Sequence, residues 1–264
     1  MRVGVLGAAG RMGRTVCQAV HADPDLELAA AVDVRLSPPG APGAPAALPG
    51  GLALSYDIEA LERAGVEVAV DFTERAAAMA NLAWCAAHGV HAVVGTTGLG
   101  EADVAEVGER FGRSGSPNCV LAPNFAIGAV LMMRFAELAA PWFDSAEIVE
   151  LHHDAKVDAP SGTAMLTAAR MAAASGEWAA DPTRSEVLAG ARGGVGPAGI
   201  RVHSVRLRGL VAHHEVLLGA AGQTLTIRHD SYDRESFMPG VVIAVKAVAG
   251  RPGLTVGLDQ LLGA

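Results

Sequence analysis

Residues 150–164, with the sequence ELHHDAKVDAPSGTA, concentrate titratable side chains in a chain that is otherwise rich in alanine, valine, glycine and leucine. His152 and His153 are adjacent, and Lys156 follows three residues later. Histidine and lysine side chains have pKa values that proteins shift easily, and they therefore suit reactions that move protons. The stretch predicts a site for a small acid that is protonated during its reaction.

The end of the same stretch predicts the start of a helix. Pro160 disfavours a helical conformation for the residue before it, and alanine and methionine recur at helical spacing after residue 163. Ser161 is therefore a suitable N-cap. Because the N-terminus of a helix attracts anions, we expect a substrate carboxylate on the N–H groups of Gly162 and Thr163, beside the histidines and the lysine.

Three other interpretations of these residues stay open. Adjacent histidines can bind a metal, but neither this pair nor His213 and His214, which precede Glu215, shows an HExxH or Cys/His spacing. Ser161 lacks the GxSxG pattern of a nucleophile elbow. The stretch can also be a solvated charged loop that is capped by a helix.

A second motif, GVLGAAGRMG, places Gly7, Gly10 and Gly13 after a predicted strand and at the start of a predicted helix. Glycine allows close approach of the backbone to a pyrophosphate, and the helix N-terminus supplies N–H groups and a positive dipole end. Asp33 follows Gly13 by about twenty residues and ends the second predicted strand, where a carboxylate accepts hydrogen bonds from a ribose. The motif and Asp33 together predict a dinucleotide-binding loop. The alternative is a tight turn that needs small residues for packing.

The same residues bear on the choice between NADH and NADPH. The carboxylate of Asp33 repels a 2′-phosphate and favours NADH. Arg11 in the glycine loop and Arg35 after the second strand are each placed to meet a phosphate. The sequence therefore leaves both cofactors open.

Two further loops follow the fourth and fifth predicted strands. Ligands of open α/β sheets bind at the carboxyl ends of the strands, and both loops are therefore candidates to line the nicotinamide half of a cofactor. Each can equally be an ordinary turn between a strand and a helix. The candidate residues are Gly95, Thr96, Thr97, Ala122, Pro123, Asn124 and Phe125.

The order of patterns along the chain predicts an α/β protein. Continuous apolar runs alternate with helical patterns up to residue 125, which is typical of a Rossmann-type doubly wound parallel sheet. Residues 126–234 predict a second, α+β domain with an open mixed sheet, in which residues 189–199 form a loop and residues 223–229 alternate with period two. We expect residues 235–264 to pack back on the first domain. Residues 37–51, rich in proline and glycine, predict a mobile surface loop.

Composition limits the class of protein. The chain has 264 residues, a net charge of −8 and 51% hydrophobic residues, and no apolar run approaches the roughly 20 residues that cross a bilayer. The negative charge argues against nucleic-acid binding. The three cysteines, Cys17, Cys85 and Cys119, are far apart and predict free, partly buried thiols. These features, with no signal-peptide pattern at the N-terminus, predict a cytoplasmic protein.

The chain resembles the 4-hydroxy-tetrahydrodipicolinate reductase (dihydrodipicolinate reductase) family of the diaminopimelate route to lysine. The resemblance covers nearly the whole chain, through GVLGAAGRMGR, DFT, GTTG, APNFAIG, ELHHDAKVDAPSGTA and RHDSYDRESFMPGV. It implies reduction of a cyclic dicarboxylate by NADH or NADPH, a dinucleotide-binding domain over which a substrate domain closes, and a homotetramer.

The resemblance also implies a role for each matching residue. His152 moves a proton and Lys156 donates one, while His153, Gly162 and Thr163 bind the carboxylates of the substrate. Asp33 binds the adenosine ribose, and the two later loops line the cofactor. The pyrophosphate lies on Gly7, Ala8, Ala9, Gly10, Arg11 and Met12.

Several positions depart from the family pattern. Ala155 stands where many members have a third histidine, and Asp154 adds a negative charge, so both residues bear on the affinity for a dianion. Val34 stands where some members have an arginine, which favours NADH. Two other functions remain as alternatives: an aspartate-semialdehyde dehydrogenase, which needs a cysteine nucleophile at its substrate, and a nucleotide-sensing protein without turnover.

Overall fold

The computed structural model describes residues 1–33 and 48–263. The chain forms two compact units, of which the first comprises Met1–Phe125 and Phe237–Gly263 and the second comprises Ala126–Ser236. Most of the surface loop predicted at residues 37–51 lies outside the described residues, and so do Val34 and Arg35.

The elements are numbered in chain order. The strands are β1 Arg2–Leu6, β2 Glu27–Val32, β3 Val68–Asp71, β4 His91–Val94, β5 Cys119–Leu121, β6 Ser145–His152, β7 Gly194–Val195, β8 Arg201–Arg206, β9 Ala212–Ala220, β10 Gln223–Ser231 and β11 Leu254–Val256. The helices are α1 Arg11–Ala22, α2 Ala60–Arg63, α3 Arg75–His88, α4 Glu101–Phe111, α5 Ile127–Ala139, α6 Gly162–Ala174, α7 Met238–Val248 and α8 Asp259–Leu262. Short 3₁₀ turns lie at Pro49–Gly51, Ala140–Trp142, Pro197–Gly199 and Arg234–Phe237.

The first unit is built on a parallel sheet. Among the described residues its strands follow the order β11-β5-β4-β3-β1-β2, and each neighbouring pair is parallel. All four residues of β3 are buried, as expected for a strand with a covered face on each side. The predicted Rossmann-type class is confirmed. The edge strand β11 was not predicted, because Leu254–Val256 is only three residues long and has glycines close on both sides.

Asn118 holds the segment that follows the second unit against this sheet. The amide of Asn118 donates to the carbonyls of Val248 and Ala249 at 3.0 and 2.9 Å, and its oxygen accepts from Gly253 N–H at 3.1 Å. Three contacts from one side chain fix the end of α7 beside β5, and β11 can then pair with β5. The C-terminal segment is therefore a part of the first core.

The turn between β1 and α1 depends on the close approach of backbone to backbone. Gly7 has φ +76°, a conformation that side chains other than glycine rarely adopt. A Cβ added at Gly13 would lie 2.1 Å from the Gly7 oxygen and 2.7 Å from the Ala8 Cα. Both contacts are to backbone atoms, and no side-chain rotation would relieve them. These glycines therefore have a packing role in addition to any role in ligand binding.

The second unit contains a mixed sheet in the order β10-β9-β6-β8-β7. β6 is parallel to β8, whereas the other pairs are antiparallel, which confirms the predicted mixed sheet. Residues 189–199 are not entirely loop, since Gly194 and Val195 pair with β8. The sequence did not show this pairing because a two-residue strand has no detectable period.

The two faces of the second sheet differ in exposure. Ile148, Glu150, His214 and Val216 share one face by their pairing, and all four are buried. Leu217, Thr224 and Thr226 are exposed. β9 alternates in this way from Val216 to Leu218, as in a sheet that is covered on one side, whereas residues 223–226 of the edge strand β10 are all exposed. In the described part of the chain no helix is long and apolar enough to cross a membrane.

We expect Gly13→Ala to destabilise the first unit by about 1–3 kcal/mol, because its Cβ would overlap fixed backbone atoms. Urea unfolding measures this change. Gly108→Ala is the matched control: Gly108 lies inside α4, and an added Cβ would meet only Leu254 Cδ2, at 3.7 Å. That change should stabilise the protein by up to about 1 kcal/mol through helix propensity. Equal midpoints for the two variants would contradict the packing role of Gly13.

Candidate active site

The second unit brings His152 and the start of α6 together through one carboxylate. His152 is the last residue of β6, and its Nδ1 lies 2.5 Å from Oε2 of Glu150, two residues earlier on the same face. The N–H of Ser161 donates to Oε1 of the same glutamate at 3.2 Å. The strand end and the helix start are therefore tied to one buried side chain.

An arginine completes the pairing of Glu150. Nη2 of Arg206 donates to Oε1 at 2.8 Å, and Nη1 donates to Oε2 at 2.9 Å. A forked pair of this kind matches the geometry of a guanidinium to that of a carboxylate. Neither Glu150 nor Arg206 was identified from the sequence. The available signal was a charged residue between the apolar residues Val149 and Leu151 of a predicted strand, but its partner is on another strand and cannot be found from local spacing.

These contacts decide the pKa values of the two residues. Burial raises the pKa of Glu150, but the hydrogen bonds from Arg206, Ser204 and His152 outweigh that effect and lower it to about 2. Burial lowers the pKa of His152; the hydrogen bond and charge of Glu150 act against that decrease, and the charges of Lys156 and Arg206 add to it. The site therefore holds an ionised glutamate beside a histidine that is neutral more often than a free one.

Lys156 is placed in the turn after β6 and is already paired. Its Nζ lies 2.7 and 2.8 Å from the two carboxylate oxygens of Asp158, and the hydrogen bond from Lys156 lowers the pKa of Asp158. The side chain of Lys156 is mostly buried, whereas that of Asp158 is more than half exposed. A substrate carboxylate that reaches Lys156 therefore competes with that of Asp158. This pairing of Lys156 with Asp158 was not predicted from the sequence.

The predicted helix start is confirmed. Ser161 is the N-cap of α6, and its Oγ accepts from Ala164 N–H at 3.2 Å. Gly162 and Thr163 are the first residues of the helix, and the N–H groups of the first turn point out of its N-terminal end. His153 is exposed in the turn between β6 and α6. The adjacent Asp154, noted above for its negative charge, is paired with Arg208 at 2.8 Å.

In the first unit the glycine loop lies beside a small cavity of about 70 Å³, which Gly7, Asp33, Ile58, Thr73 and Asn81 help to line. Asp33 is buried at the end of β2, and its Oδ2 accepts from Ala9 N–H at 3.1 Å. Within the described residues, no side chain caps α1 at Gly10. The arrangement leaves a helix N-terminus and a carboxylate at one edge of the sheet, which suits a dinucleotide.

The loops after β3 and β4 are joined by Asp71, which was not identified as a functional residue from the sequence. Its Oδ1 accepts from the N–H and Oγ1 of Thr73 at 2.8 and 2.7 Å and from Thr96 Oγ1 at 3.2 Å. Asn81 donates to its Oδ2 at 2.7 Å. This buried carboxylate holds the DFT and GTTG motifs in one network, and it explains why Thr96 is buried whereas Thr97 is exposed.

Among the remaining candidates, Ala122 and Phe125 are buried parts of the core. The Phe125 ring lies 5.7 Å from that of Phe72, and a Cβ at Gly95 would lie 2.1 Å from the Phe72 ring. Gly95 therefore makes room for an aromatic pair. The candidates brought to the carboxyl edge of the first sheet are Gly7, Ala8, Ala9, Gly10, Arg11, Met12, Asp33, Gly95, Thr96, Thr97, Ala122, Pro123, Asn124 and Phe125.

The cysteines are poor candidates for chemistry. All three are free thiols, as predicted, but they are fully rather than partly buried. Burial raises the pKa of Cys17 and of Cys85 to about 12, and it also raises that of Cys119. A protonated thiol is a weak nucleophile, and a dehydrogenase that uses a cysteine nucleophile is therefore disfavoured.

The second histidine pair, His213 and His214, lies on β9 with its two rings on opposite faces of the sheet. Nδ1 of His213 lies 2.6 Å from Asp230 Oδ1, whereas His214 is buried opposite Glu150. Adjacent residues of a strand point to opposite faces, so the two rings cannot share a ligand. In the described residues no group of three or more histidine, cysteine or acidic side chains is arranged to hold a metal.

A larger cavity of the second unit, of about 650 Å³, lies at the other end of β6. Ser145, Glu147, Arg192 and Arg201 contribute to its lining. β6 rises about 3.3 Å per residue, which places its start about 23 Å from His152. The larger cavity is therefore remote from His152, and its size alone does not identify the site.

Known proteins of one family match this chain over nearly its whole length. The family model described as "Dihydrodipicolinate reductase, N-terminus" matches residues 1–125, and "Dihydrodipicolinate reductase, C-terminus" matches residues 128–262. The 4-hydroxy-tetrahydrodipicolinate reductase of Cutibacterium acnes is 51% identical over 100% of this chain and 99% of that protein. The protein of the same name from Nocardia farcinica is 51% identical over 99% and 98%.

A solved structure is similar as well. The dipicolinate-bound dihydrodipicolinate reductase of Paenisporosarcina sp. TG-14 has a TM-score of 0.86 and 38% identity, and the match covers 98% of each chain. Together with the family models, which cover nearly every residue, these similarities show that the chain belongs to the dihydrodipicolinate reductase family.

Proposed function

We propose that this oxidoreductase reduces 4-hydroxy-tetrahydrodipicolinate to tetrahydrodipicolinate with NADH or NADPH, a step of the diaminopimelate route to lysine. Family membership over the full length supports the reaction. The single observation that carries the assignment in the structure is the network of His152, Glu150 and Ser161 beside Lys156. This network joins proton-moving groups to a helix N-terminus that can bind an anion.

The substrate has two carboxylates, and the end of β6 offers groups that match them. A solved relative binds dipicolinate, which is also a cyclic dicarboxylate. We assign carboxylate binding to His153, Gly162 and Thr163, because the exposed His153 lies in the loop that leads to the N-terminus of α6. Lys156 adds positive charge once its bond to Asp158 is exchanged for a bond to the substrate.

The described residues of the first unit fit a nicotinamide dinucleotide. When bound, such a cofactor supplies the hydride. A Cβ at Gly13 would overlap the loop backbone, and Gly7 has a positive φ; the loop is therefore shaped by glycines as a cradle for phosphates requires. We assign the pyrophosphate to residues 7–12 and the ribose to Asp33. We assign the rest of the cofactor to the loops after β3 and β4, which Asp71 joins, and to residues 122–125.

The overall conversion removes one water and adds one hydride and one proton to the ring. Lys156 is assigned as proton donor, because an ammonium at this position can give up a proton to the ring. His152 exchanges protons through the ring nitrogen that does not face Glu150. The alternative of a sensing protein without turnover is disfavoured, because the chain retains both His152 and Lys156, the side chains assigned to proton transfer.

Lys156→Ala should reduce kcat by about 10²–10⁴, since general acid catalysis contributes a factor of that size. NADH oxidation is followed with substrate formed in situ from pyruvate and aspartate semialdehyde. The matched control is Lys246→Ala, which removes the other lysine of the chain, one paired with Asp23 and Asp25 in the first unit. It should retain nearly full activity.

The outcomes of this experiment separate the alternatives. A wild type that binds NADH but does not oxidise it with substrate would leave only the sensing protein or another dehydrogenase. Equal losses in both lysine variants would mean that charge or stability, and not proton donation, explains the effect of Lys156.

We further propose that Asp33 favours NADH. Asp33→Asn removes the negative charge but keeps an amide oxygen that can accept from Ala9 N–H. Since like charges in contact cost several kcal/mol, the ratio of kcat/KM for NADPH to that for NADH should rise by about 10-fold or more. Asp25→Asn, an exposed change in the same unit, serves as control and should leave the ratio unchanged. An unaltered ratio in Asp33→Asn would contradict contact with the ribose.

We propose a cytoplasmic homotetramer, as the resemblance implies. The exposed face of the second sheet, with Leu217, Thr224 and Thr226, is a surface that a second copy can cover. Light scattering after size-exclusion chromatography should give about four times the chain mass of 26.8 kDa. Leu217→Asp should shift the mass toward smaller species, whereas a monomeric wild type would contradict the proposal.

A further inference from the structure

Glu150 is completely buried, with 0% of its side chain exposed. A buried carboxylate strongly destabilises the fold unless it is paired and its lone pairs are satisfied. Here both oxygens are used: Oε1 by Arg206 and Ser161 N–H, and Oε2 by Arg206 and His152. The four contacts join three elements, β6, β8 and the start of α6.

The pairing fixes the form of Glu150 and hence that of its neighbour. An ionised carboxylate only accepts hydrogen bonds, and the pKa of Glu150, about 2 after burial is outweighed by its partners, keeps it ionised at neutral pH. Nδ1 of His152 must therefore carry a proton to make the 2.5 Å contact. In the neutral ring, Nε2 is then the acceptor.

Arg206 extends the same control to the loop that holds Lys156. Besides the fork to Glu150, its Nη2 donates to the backbone oxygen of Asp158 at 2.6 Å. Asp158 is the residue whose carboxylate holds Lys156. Glu150 therefore contacts His152 directly and is connected to Lys156 by way of Arg206 and Asp158.

We propose that Glu150 is a positioning residue of the reductase, which holds His152 in the Nδ1–H tautomer so that Nε2 exchanges the proton. This inference rests on the proposed function of His152. The positioning role differs from a purely structural one, because the tautomer of His152, and not only the fold, then depends on a carboxylate at position 150.

The groups that face this pair come from every neighbouring strand. On β8 there is the cation Arg206, and in the turn after β6 there are Lys156 and Asp158. On β9, His214 lies opposite Glu150, and on β10, His229 lies opposite His214. Burial lowers the pKa of His214 to about 4, and this side chain therefore carries no charge beside Glu150 at neutral pH.

The test compares Glu150→Gln with Glu150→Asp in the full-length enzyme. The amide cannot accept from every donor that now meets the carboxylate, whereas aspartate retains the charge. We expect Glu150→Gln to lower kcat by about 100-fold or more, with the dissociation constant for NADH unchanged. Glu150→Asp should recover a large part of the rate.

The pH profile adds a readout that a structural role would not move. Burial lowers the pKa of His152 and Glu150 opposes that decrease, so loss of the glutamate charge should lower the pKa further. Protonated His152 is lost as pH rises through its pKa, and the kcat limb that depends on it should move to lower pH by about 1–2 units in Glu150→Gln. In Glu150→Asp it should stay near its wild-type position.

Nitrogen-15 spectra of histidine-labelled protein report the tautomer without any turnover, with His152→Gln used for assignment. Wild type should show Nδ1–H for His152, and Glu150→Gln should show a larger fraction of Nε2–H. Glu147→Gln is the matched control, because Glu147 also bridges a histidine and an arginine, His203 and Arg192, on β6 away from the site. It should leave the His152 signal and the pH profile unchanged.

Two outcomes would overturn the proposal. One is an unchanged His152 tautomer and pH profile in Glu150→Gln. The other is an equal loss of rate in the Gln and Asp variants with no difference in tautomer, which would indicate packing alone. Failure of the proposed function is distinct from both, because wild type itself would then not oxidise NADH in the presence of substrate.

Discussion

The second unit depends on the need to compensate one buried charge. Glu150 has no contact with solvent, and each of its oxygens must receive hydrogen bonds from elsewhere in the fold. Arg206 comes from β8, and Ser161 from the start of α6. The strand register and the position of the helix therefore follow from the same constraint that orients His152. A site built in this way is rigid because displacement of any partner would leave a buried ion unsatisfied.

A different constraint acts in the first unit, where the backbone itself must pass close to the backbone. Gly13 allows α1 to begin directly against Gly7, and Gly95 leaves room for the ring of Phe72. Asp71 then ties the loops after β3 and β4 through Thr73 and Thr96. Small residues and one buried carboxylate therefore shape the edge at which a parallel sheet binds its ligands.

The sequence predicts those parts that local rules determine. Buried parallel strands are continuous apolar runs, as β4 is, and Ser161 caps α6 as expected. The pairing of Glu150 with Arg206 could not be predicted, because strands that are distant in sequence meet only in the folded sheet. β7 and β11 are too short to show a period. The bond between Lys156 and Asp158 was not considered because opposite charges two residues apart are common in solvated loops.

The charges at the end of β6 are more nearly balanced than the string HHDAK indicates. Asp158 neutralises Lys156, Arg208 neutralises Asp154, and Glu150 faces both His152 and Arg206. A dianionic ligand therefore does not meet a fixed excess of positive charge, and an anionic group that pairs with Lys156 must first displace Asp158 from the ammonium. Since Asp158 is more than half exposed, its carboxylate can be solvated when released, whereas that of Glu150 cannot. A bound anion can therefore open the pair of Lys156 with the half-exposed Asp158, whereas the pair of Glu150 with Arg206 cannot open without leaving a buried ion unsatisfied.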